Sequence, residues 1–447
     1  MPTGPTRRDV LIGSAAAVGA AIVGRAQASS LLNSAASPAA ASFAKSAGIR
    51  FAVVGIGGKG TSDAEDAARF GEIVAIAEID AQTRAKSLIQ YPRAASFSDF
   101  RRMFDAMHSR IDAVVVSTPD HTHAPAAAAA MRLGKHVFCQ KPLTRTLHEA
   151  RTLAQLARRH RVATQMGNQL TALPELRRAA AAIRSGAFGA VKEVHCWTDR
   201  AGNWWPQGVP RPQPRRTPSL VDWDAWLGPA PDRPYADGYH PFAWRGWWDF
   251  GTGALGDIGC HCMNLPFMAL DLRDPVAVSA ETSGHNGDSF PLWSIVRYEF
   301  PARRGRPAVT LTWYDGGKRP PQELVPGSEY GGNGTIFVCE RATLYSPNEY
   351  GGGTQIVGGA PMPDVPFDQS PGHFEEWVQA IQGGKPARSN IPDYAGPLTE
   401  TVLLGNLAVW ANGERVEWDS RRLRVRGSGG REFERLIRPE YRKGWEL

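Results

Sequence analysis

Hydrophobic positions in the first half of the chain fall into short runs rich in β-branched residues, and amphipathic stretches separate these runs. The runs do not alternate strictly between apolar and polar residues, which is typical of strands buried on both faces of a parallel sheet. The intervening stretches repeat their apolar residues at helical spacing. The pattern predicts helices that include 96–107 and 145–160, and strands at 50–54, 72–77, 111–117, 135–139 and 161–166.

The pattern changes after residue 167. Apolar and polar residues alternate better there, and the loops are rich in Pro, Gly and Trp, with strands predicted at 191–198, 276–283, 293–300 and 308–314. This pattern is typical of an antiparallel sheet that leaves one face free for a substrate. The sequence therefore predicts an α/β Rossmann-type domain at 48–167 and an α+β domain at 168–447. The second domain has a large open, mostly antiparallel sheet, a late helix at 397–413 and a basic tail.

The first 28 residues have the features of a signal peptide. A charged start precedes an apolar run from Val10 to Val23, which is shorter than the roughly 20 residues that span a bilayer. Arg7 and Arg8 stand just before this run, separated from it only by Asp9, and resemble a twin-arginine signal, which exports proteins already folded. We therefore expect a periplasmic or otherwise exported protein without a membrane span. An ordinary secretory signal is the alternative, and the Ala/Ser-rich residues 29–47 are interpreted as a linker.

Composition and charge narrow the function classes. The 447 residues carry a formal net charge of +7, which becomes +5 once the three arginines and one aspartate of the first 28 residues are removed. This charge is spread along the chain, so no nucleic-acid partner is expected. The five cysteines are an odd, scattered set that does not resemble a disulfide framework. Cys260-His261-Cys262 has no second cluster at ligand spacing, so no metal is expected.

A glycine-rich turn follows the first predicted strand and precedes a helical pattern. Its G-x-G-x-x-G spacing permits a tight turn with the helix N-terminus facing a pyrophosphate, and its cofactor-binding residues are Gly55, Gly57, Gly58, Lys59 and Gly60. Glu78 ends the second strand and is expected to accept hydrogen bonds from ribose hydroxyls. Its charge would repel a 2′-phosphate, which favours NAD, although Lys59 keeps NADP possible. A tight turn without a ligand is the alternative.

Residues that follow other strands of the predicted parallel sheet are expected beside the same cofactor. Ligands of such sheets bind beyond the carboxyl ends of the strands. The residues assigned to the cofactor on this ground are Thr118, Pro119, His123, Gln140 and Asn168. For Asp120 we expect a capping role, and for His121 a position on the surface.

The stretch GALGDIGCH, residues 253–261, places Asp257 and His261 four residues apart. In a helix, side chains with this spacing lie on the same face. The stretch therefore predicts a carboxylate and an imidazole that point into one space. The alternative is a buried helix in which both side chains have only a structural role.

Two motifs together resemble the Gfo/Idh/MocA oxidoreductases. One is CQKPLT, residues 139–144, with a Lys-Pro pair after a strand, and the other is the G-x-L-x-D-x-G-x-H pattern of residues 253–261. The resemblance implies a nicotinamide-binding domain, an open-sheet domain and a sugar or polyol substrate held between them. It makes Lys141 the catalytic lysine, Asp257 a substrate-orienting carboxylate and His261 the acid/base. The chain departs from the family pattern at Gln140, where Glu is usual, and at Asn264, where Asp is frequent.

Aromatic residues near the second motif indicate the class of substrate. The C–H face of a pyranose packs on flat rings while its hydroxyls take polar partners. The residues assigned to the substrate are Arg200, Trp204, Trp205, Trp247, Trp248 and Asp249. Packing in the core is the alternative for any single tryptophan.

The sequence therefore predicts an NAD(P)-dependent oxidoreductase that transfers a hydride between a tightly bound nicotinamide cofactor and a hydroxyl carbon of a sugar or glycoside. One alternative is an NAD-dependent glycoside hydrolase or lyase that works by transient oxidation, elimination and re-reduction. Another is a non-catalytic sugar-binding protein on the same scaffold. By analogy with the family, whose open sheet commonly pairs, a homo-oligomer is possible.

Overall fold

The computed structural model describes residues 48–303, 305–427 and 430–447. Its first sheet has six parallel strands in the order 3-2-1-4-5-6. The predicted signal peptide and linker lie outside the described residues. The strands are β1 (Ile49–Val54), β2 (Gly71–Ala77), β3 (Ala95–Phe97), β4 (Ala113–Val116), β5 (His136–Cys139) and β6 (Thr164–Met166). This order defines a Rossmann fold, so the predicted class of the first domain is confirmed.

Helices cover both faces of this sheet, which explains why its strands lack strict alternation. They are α1 (Lys59–Ala68), α2 (Ala81–Gln90), α3 (Phe100–Met107), α4 (Asp120–Arg132) and α5 (Leu147–His160). Along β1, Phe51 and Val53 belong to one hydrophobic cluster, and Ala52 and Val54 belong to another. The helix predicted from residue 96 begins at Phe100, because the Asp99 carboxylate caps it and β3 comes before it.

The second sheet has nine strands, and most of its neighbouring strands are antiparallel. Their order is 13-12-11-7-10-9-8-14-15, and only the pair of strands 7 and 10 is parallel among the pairings of the described residues. The strands are β7 (Val191–Thr198), β8 (Ala277–Thr282), β9 (Ser294–Phe300), β10 (Val309–Tyr314), β11 (Asn333–Cys339), β12 (Thr343–Ser346), β13 (Gln355–Ile356), β14 (Val416–Asp419) and β15 (Arg424–Val425). The predicted mostly antiparallel sheet is confirmed.

Seven further helices follow β6 in the described part of the chain: α6 (Pro174–Arg184), α7 (Trp223–Leu227), α8 (Gly253–Cys262), α9 (Asn264–Leu270), α10 (His373–Ile381), α11 (Gly396–Ala411) and α12 (Gly430–Ile437). A π-helical turn, Ile391–Ala395, leads into α11, and short 3-10 turns occupy His108–Arg110, Gln169–Ala172, Ala243–Gly246 and Gln322–Leu324. None of the described helices is long and apolar enough to cross a membrane.

One face of the second sheet packs against α8 and α11. The Thr335 hydroxyl of β11 donates to the carbonyl oxygen of Cys262 at the end of α8, at 3.0 Å. On the opposite face, Trp197 stacks on Tyr345, and its indole N–H donates to the carbonyl oxygen of Gly331. The segment between β10 and β11 therefore covers part of the face that the sequence left open, and α8 lies on the other side.

The division of the chain at residue 167 does not describe the packing of α10. Its residues Phe374 and Trp377 lie against Phe138 and Phe51 of the first sheet, with ring centroids 4.7–5.9 Å apart. The basic tail is likewise folded, because β14 and β15 extend the second sheet. Hydrophobic periodicity did not predict where α10 packs, since it carries no information about which sheet a distant helix covers.

Candidate active site

The turn between β1 and α1 leaves no room for a side chain at one of its glycines. A Cβ added at Gly60 would lie 1.9 Å from the carbonyl oxygen of Gly55, which itself has a φ of +79°. At Gly58, whose φ is +57°, an added Cβ would meet nothing within 4 Å. The turn is therefore closed on its inner side and open on its outer side, where the N-terminus of α1 can face an anionic group.

Glu78 lies directly after β2 and holds this turn. Its Oε2 accepts hydrogen bonds from the backbone N–H groups of Ile56 and Gly57, both at 3.1 Å, and its Oε1 accepts one from Asp80. Burial raises the pKa of the Glu78 carboxyl, and the three N–H donors oppose that rise. The residue predicted to bind ribose hydroxyls thus also fixes the position of the glycine turn.

Gln140 contacts a buried carboxylate that the sequence analysis did not identify. Its side-chain N–H donates to Asp63 of α1 at 2.8 Å, and Asp63 also accepts from the Ser117 hydroxyl and pairs with Lys59. Asp63 is only 1% exposed. The amide at position 140 therefore faces Asp63, where a glutamate would bring a second carboxylate within hydrogen-bonding distance.

The predicted cofactor residues that follow β4 and β6 lie at the carboxyl edge of the first sheet. Both ring nitrogens of His123 contact backbone carbonyls, those of Thr118 at 2.7 Å and Pro142 at 2.9 Å, so this histidine ties the loop after β4 to the loop after β5. Asn168 is fully buried, and its side-chain nitrogen has no hydrogen-bond partner among the described residues. That nitrogen is a buried donor at the carboxyl edge of the sheet.

Lys141, which follows β5, meets Asp257 of α8. The lysine ammonium donates to the carbonyl oxygen and to Oδ1 of Asp257, both at 2.9 Å. Arg245 donates to the same Oδ1 at 3.1 Å, and a guanidinium nitrogen of Arg200 lies 3.9 Å from Oδ2. Burial would raise the pKa of the Asp257 carboxyl, but these three cations outweigh it and hold that pKa below its usual range. Asp257 is therefore ionised.

His261 lies one turn after Asp257 on α8, as the sequence predicted, and it is 9% exposed. Burial and then the charge of Lys141 lower its pKa well below the usual value, and Asp257 only partly opposes them. The imidazole is therefore neutral near pH 7. Its Nδ1 has no hydrogen-bond partner among the described residues, and its ring meets the Tyr350 ring edge to face. A neutral imidazole without a bonded partner at one nitrogen can accept a proton.

Three residues of this cluster, Arg245, Glu349 and Tyr350, were missed by sequence reasoning. Glu349 accepts from Arg200 at 3.0 Å and lies in the loop after β12, far from both motifs in sequence. Nothing in its local pattern distinguishes it from other loop carboxylates. Arg245 had a signal, because it stands inside the aromatic run directly before the second motif.

The substrate residues predicted from the aromatic run are largely buried, which corrects that prediction. Trp247 is 2% exposed and donates to the carbonyl oxygen of Gly238, and Trp248 stacks on Phe290 at 3.7 Å. Trp205 is likewise buried. These faces are already covered by protein, because neighbouring aromatic residues complete a core there. Trp204 differs, being 39% exposed and packed on the Arg200 guanidinium at 4.3 Å.

Asp249 also differs from its prediction as a substrate ligand. Its carboxylate is bound by Arg211 and Arg233, each at 2.9 Å, and it is mostly buried between them. Two guanidinium partners satisfy the carboxylate within the protein. Asp249 therefore anchors the loop before α8.

His121, which was expected on the surface, is 1% exposed, and both of its ring nitrogens lie against backbone carbonyls.

Asp120 joins the first domain to the beginning of α8. Its carboxylate accepts a hydrogen bond from the Thr252 hydroxyl at 2.6 Å, and the carbonyl oxygen of Thr252 accepts one from Asn406 of α11. Asp120 is 2% exposed, and burial raises its pKa to about 7 although Thr252 opposes the rise. This contact sets the position from which α8 presents Asp257 and His261.

Comparison with known proteins gives the same two-part organisation. Residues 49–168 match a model described as an oxidoreductase family, NAD-binding Rossmann fold, and residues 177–304 match its C-terminal alpha/beta domain. Among solved structures, the WlbA dehydrogenase from Bordetella pertussis in complex with NADH and UDP-GlcNAcA has a TM-score of 0.59 at 16% identity, over 83% of this chain and 99% of that one. An inositol dehydrogenase homolog from Azotobacter vinelandii, complexed with NADH and myo-inositol, has a TM-score of 0.56 at 19% identity, over 83% and 98%.

Curated relatives match over shorter stretches. Levoglucosan dehydrogenase of Pseudarthrobacter phenanthrenivorans is 27% identical over 191 residues, which is 42% of this chain and 40% of the relative. Inositol 2-dehydrogenase of Rubrobacter xylanophilus is 33% identical over 33% of this chain and 43% of the relative. The chain thus spans less than half the length of these two relatives. The structural likeness extends over nearly the whole of the solved chains and concerns the fold.

Proposed function

The chain belongs to the Gfo/Idh/MocA oxidoreductase family, and from that premise we propose that it transfers a hydride between a nicotinamide cofactor and a hydroxyl-bearing carbon of a sugar or glycoside. The observation that carries the proposal is the meeting of Lys141 with Asp257 at 2.9 Å, one helical turn from a neutral His261. The lysine comes from the cofactor-binding part of the chain, and the other two come from α8. The three groups together supply charge stabilisation, orientation and a base.

The turn after β1 fits a dinucleotide. Its open outer side at Gly58, the adjoining N-terminus of α1 and the carboxylate of Glu78 match the pyrophosphate and ribose of such a ligand. The unpartnered side-chain nitrogen of Asn168 is a further donor at the same edge of the sheet. NAD is preferred over NADP in this proposal, because Glu78 would lie next to a 2′-phosphate of like charge.

When bound, the nicotinamide supplies the acceptor for the hydride. Two of the three Lys141 ammonium protons are donated to Asp257, which leaves one for the substrate oxygen. That remaining donor stabilises negative charge as it develops on the oxygen. The neutral imidazole of His261 takes the hydroxyl proton, and the nearby Asp257 carboxylate stabilises the imidazolium that forms. In the reverse direction the same imidazolium returns the proton.

Turnover with a panel of sugars and glycosides tests this proposal. We expect Lys141→Ala and His261→Ala each to lower the rate of hydride transfer by roughly two to four orders of magnitude, the usual contribution of a positioned acid/base. The exposed residues Lys192 and His108 provide matched controls, and Lys192→Ala and His108→Ala should leave the rate unchanged. Near-normal hydride transfer in both site variants would remove these residues from the mechanism.

We also propose that the protein is exported folded, with its nicotinamide already bound, because Arg7 and Arg8 stand one residue before the apolar run. A bound cofactor outside the cytoplasm must be restored within each cycle, since it does not exchange with a free pool. Fractionation of cells that express the full chain tests the export step. Replacement of Arg7 and Arg8 by lysine should retain the protein in the cytoplasm, and unchanged export would favour an ordinary secretory signal.

A further inference from the structure

Exposed apolar side chains gather next to the proposed active site. Seven large apolar side chains of the described residues are exposed. Two of them, Trp204 at 39% and Phe242 at 43%, lie against arginines that reach Asp257, and a third, Leu292 at 50%, lies near the loop that carries Trp204. The other four are scattered over the first domain, the loop before α7 and the start of β8. Exposed aromatic surface that gathers beside proposed reacting groups indicates a ligand-binding surface.

Each exposed ring is separated from Asp257 by one guanidinium. Phe242 lies 4.6 Å from the guanidinium carbon of Arg245, whose Nε donates to Asp257 at 3.1 Å. On the other side, Trp204 lies 4.3 Å from the guanidinium carbon of Arg200, which reaches within 3.9 Å of Asp257. Each ring therefore lies one arginine side chain away from the carboxylate of Asp257.

The scaffold holds these side chains in place. Trp205, the residue after Trp204, is buried. Its ring centroid is 6.2 Å from that of Phe242, and its indole N–H donates to Gln207. Leu292 packs on the same loop, because a Cβ added at Gly202 would lie 3.1 Å from its Cδ1. The loop carrying Trp204 is thereby held in place by neighbouring side chains, while Trp204 itself is partly exposed.

We propose that Trp204, Phe242 and Leu292 form an outer subsite, which binds a second ring attached to the sugar that is oxidised. This inference rests on the proposed function and adds that the substrate is a two-ring glycoside. A sugar ring and an aromatic aglycone share the required chemistry, a flat face of C–H or π character that packs on aromatic side chains. A free monosaccharide would meet only the inner groups, Lys141, Asp257 and His261.

Steady-state kinetics test the subsite when the substrates share the same oxidised sugar and differ only in what is attached to it. Three glycosides of one sugar present the same reacting carbon. The methyl glycoside has no second ring, the disaccharide has a second sugar ring, and the phenyl glycoside has an aromatic ring. We expect kcat/KM of wild type to be at least about fivefold higher for a two-ring substrate than for the methyl glycoside, as stacking on one or two side chains provides. A preference for the disaccharide or for the phenyl glycoside identifies which second ring the subsite takes.

Variants assign the preference to these residues. Trp204→Ala and Phe242→Ala should each lower the ratio of the two kcat/KM values toward one, mainly through KM, and Trp204→Phe should retain most of the ratio. Leu292→Ala should lower it less, and Leu133→Ala, at a similarly exposed leucine after α4, is the control that should not change it. A ratio near one in wild type, or a ratio unaffected by Trp204→Ala and Phe242→Ala, would overturn the subsite.

Equilibrium binding separates this inference from the proposed function. Isothermal titration of the three glycosides into wild type and Trp204→Ala measures the second-ring preference without any turnover. If the disaccharide or phenyl glycoside binds more tightly to wild type and loses that advantage in Trp204→Ala, the subsite stands even where no hydride transfer is detected. If hydride transfer occurs but the second ring adds nothing to binding, the function stands and the subsite is wrong.

Discussion

At the scale of the residue, the electrostatic surroundings of His261 decide its protonation. Burial, Lys141 and Arg200 all lower the pKa of this imidazole, and only Asp257 raises it. A histidine whose pKa is lowered is fully neutral at and above its usual titration range. It is therefore in the form that accepts a proton across the whole range from mildly acidic to alkaline pH.

The pH dependence of kcat/KM should show this directly. Activity falls as pH drops through the pKa of His261, so we expect the acid limb well below pH 6.5. Arg200→Gln removes one of the charges that lower this pKa and should move the limb to higher pH. A limb at or above pH 6.5 in wild type, or one that stays in place in Arg200→Gln, would show that another group is the base.

Gln140 gives a second prediction at this scale, because its amide donates to the buried carboxylate of Asp63 at 2.8 Å. Gln140→Glu would remove that donor and place two carboxylates together, which favours a protonated form of one of them. We expect the variant to lose about 1.5–3 kcal/mol of unfolding free energy at pH 8, and less at pH 5. Denaturant titrations at both pH values measure this loss.

The matched test of the Gln140 prediction is Gln140→Glu combined with Asp63→Asn, which restores one amide and one carboxylate in reversed positions. This double variant should recover most of the lost stability. Equal destabilisation of Gln140→Glu at pH 5 and pH 8 would argue against charge repulsion as the cause. In this chain, Gln140 stands where the family pattern usually has glutamate, and its neighbour on α1 is the carboxylate of Asp63.

At the scale of the element, the βα turn after β1 depends on one close backbone approach. Gly60→Ala would place a Cβ 1.9 Å from the carbonyl oxygen of Gly55, and backbone cannot move aside as a flexible side chain can. We expect a loss of about 1–3 kcal/mol of stability, as overpacking produces, together with weakened NAD binding because the turn must open. Thermal unfolding and calorimetric titration of NAD measure the two effects.

Gly352→Ala is the control for the Gly60 substitution, since a Cβ there would make only contacts of 3.8 Å or more. It should leave both stability and NAD binding unchanged. If Gly60→Ala binds NAD as wild type does, the geometry of this turn is not what holds the cofactor.

Helix α8 illustrates how an element carries the site. Ten consecutive residues, Gly253–Cys262, are buried, which a helix achieves only when other elements pack around its entire circumference. A Cβ at Gly256 would lie 2.0 Å from the Thr252 hydroxyl, and one at Gly259 would lie 3.2 Å from Val402 of α11. Its glycines therefore permit the close packing that fixes Asp257 and His261 in direction.

At the scale of the whole molecule, the contact of Asp120 with Thr252 couples the two parts of the chain through a group that titrates near neutrality. The pKa of Asp120 is raised to about 7, so the folded protein keeps a proton that the unfolded chain releases near pH 4. Stability consequently falls as pH rises from about 4 to about 7, by at most about 1.4 kcal/mol per pH unit from this one group.

Asp120→Asn should remove that fall, because the amide oxygen still accepts from Thr252 and carries no charge. Unfolding free energies from denaturant titration at several pH values between 4 and 8 measure the difference between variant and wild type. We expect the two proteins to be alike near pH 4, where Asp120 is protonated, and the variant to gain relative stability up to about pH 7. A difference that does not change with pH would show that Asp120 is not protonated in the folded state.

The sequence by itself determined nine strands of the two sheets and the residues that follow the strands of the first sheet. Hydrophobic periodicity, which depends on local backbone geometry, predicted β7 at its exact bounds and α11 within two residues. The motif spacing placed Asp257 and His261 on one helical face, since that relation also is local. The predicted fold class is confirmed, and the proposed roles of Lys141, Asp257 and His261 remain predictions.

Only the tertiary structure decided which groups surround these residues. It brought Glu349 and Tyr350 to the site from a loop without a sequence signal, and it placed Arg245 against Asp257. It also buried Trp247 and Trp248 while leaving Trp204 exposed. The partner of Gln140 was equally hidden, because Asp63 is 77 residues away in sequence and close only after the first sheet forms. Burial and charge pairing are long-range properties of the folded chain, so no local pattern specifies them.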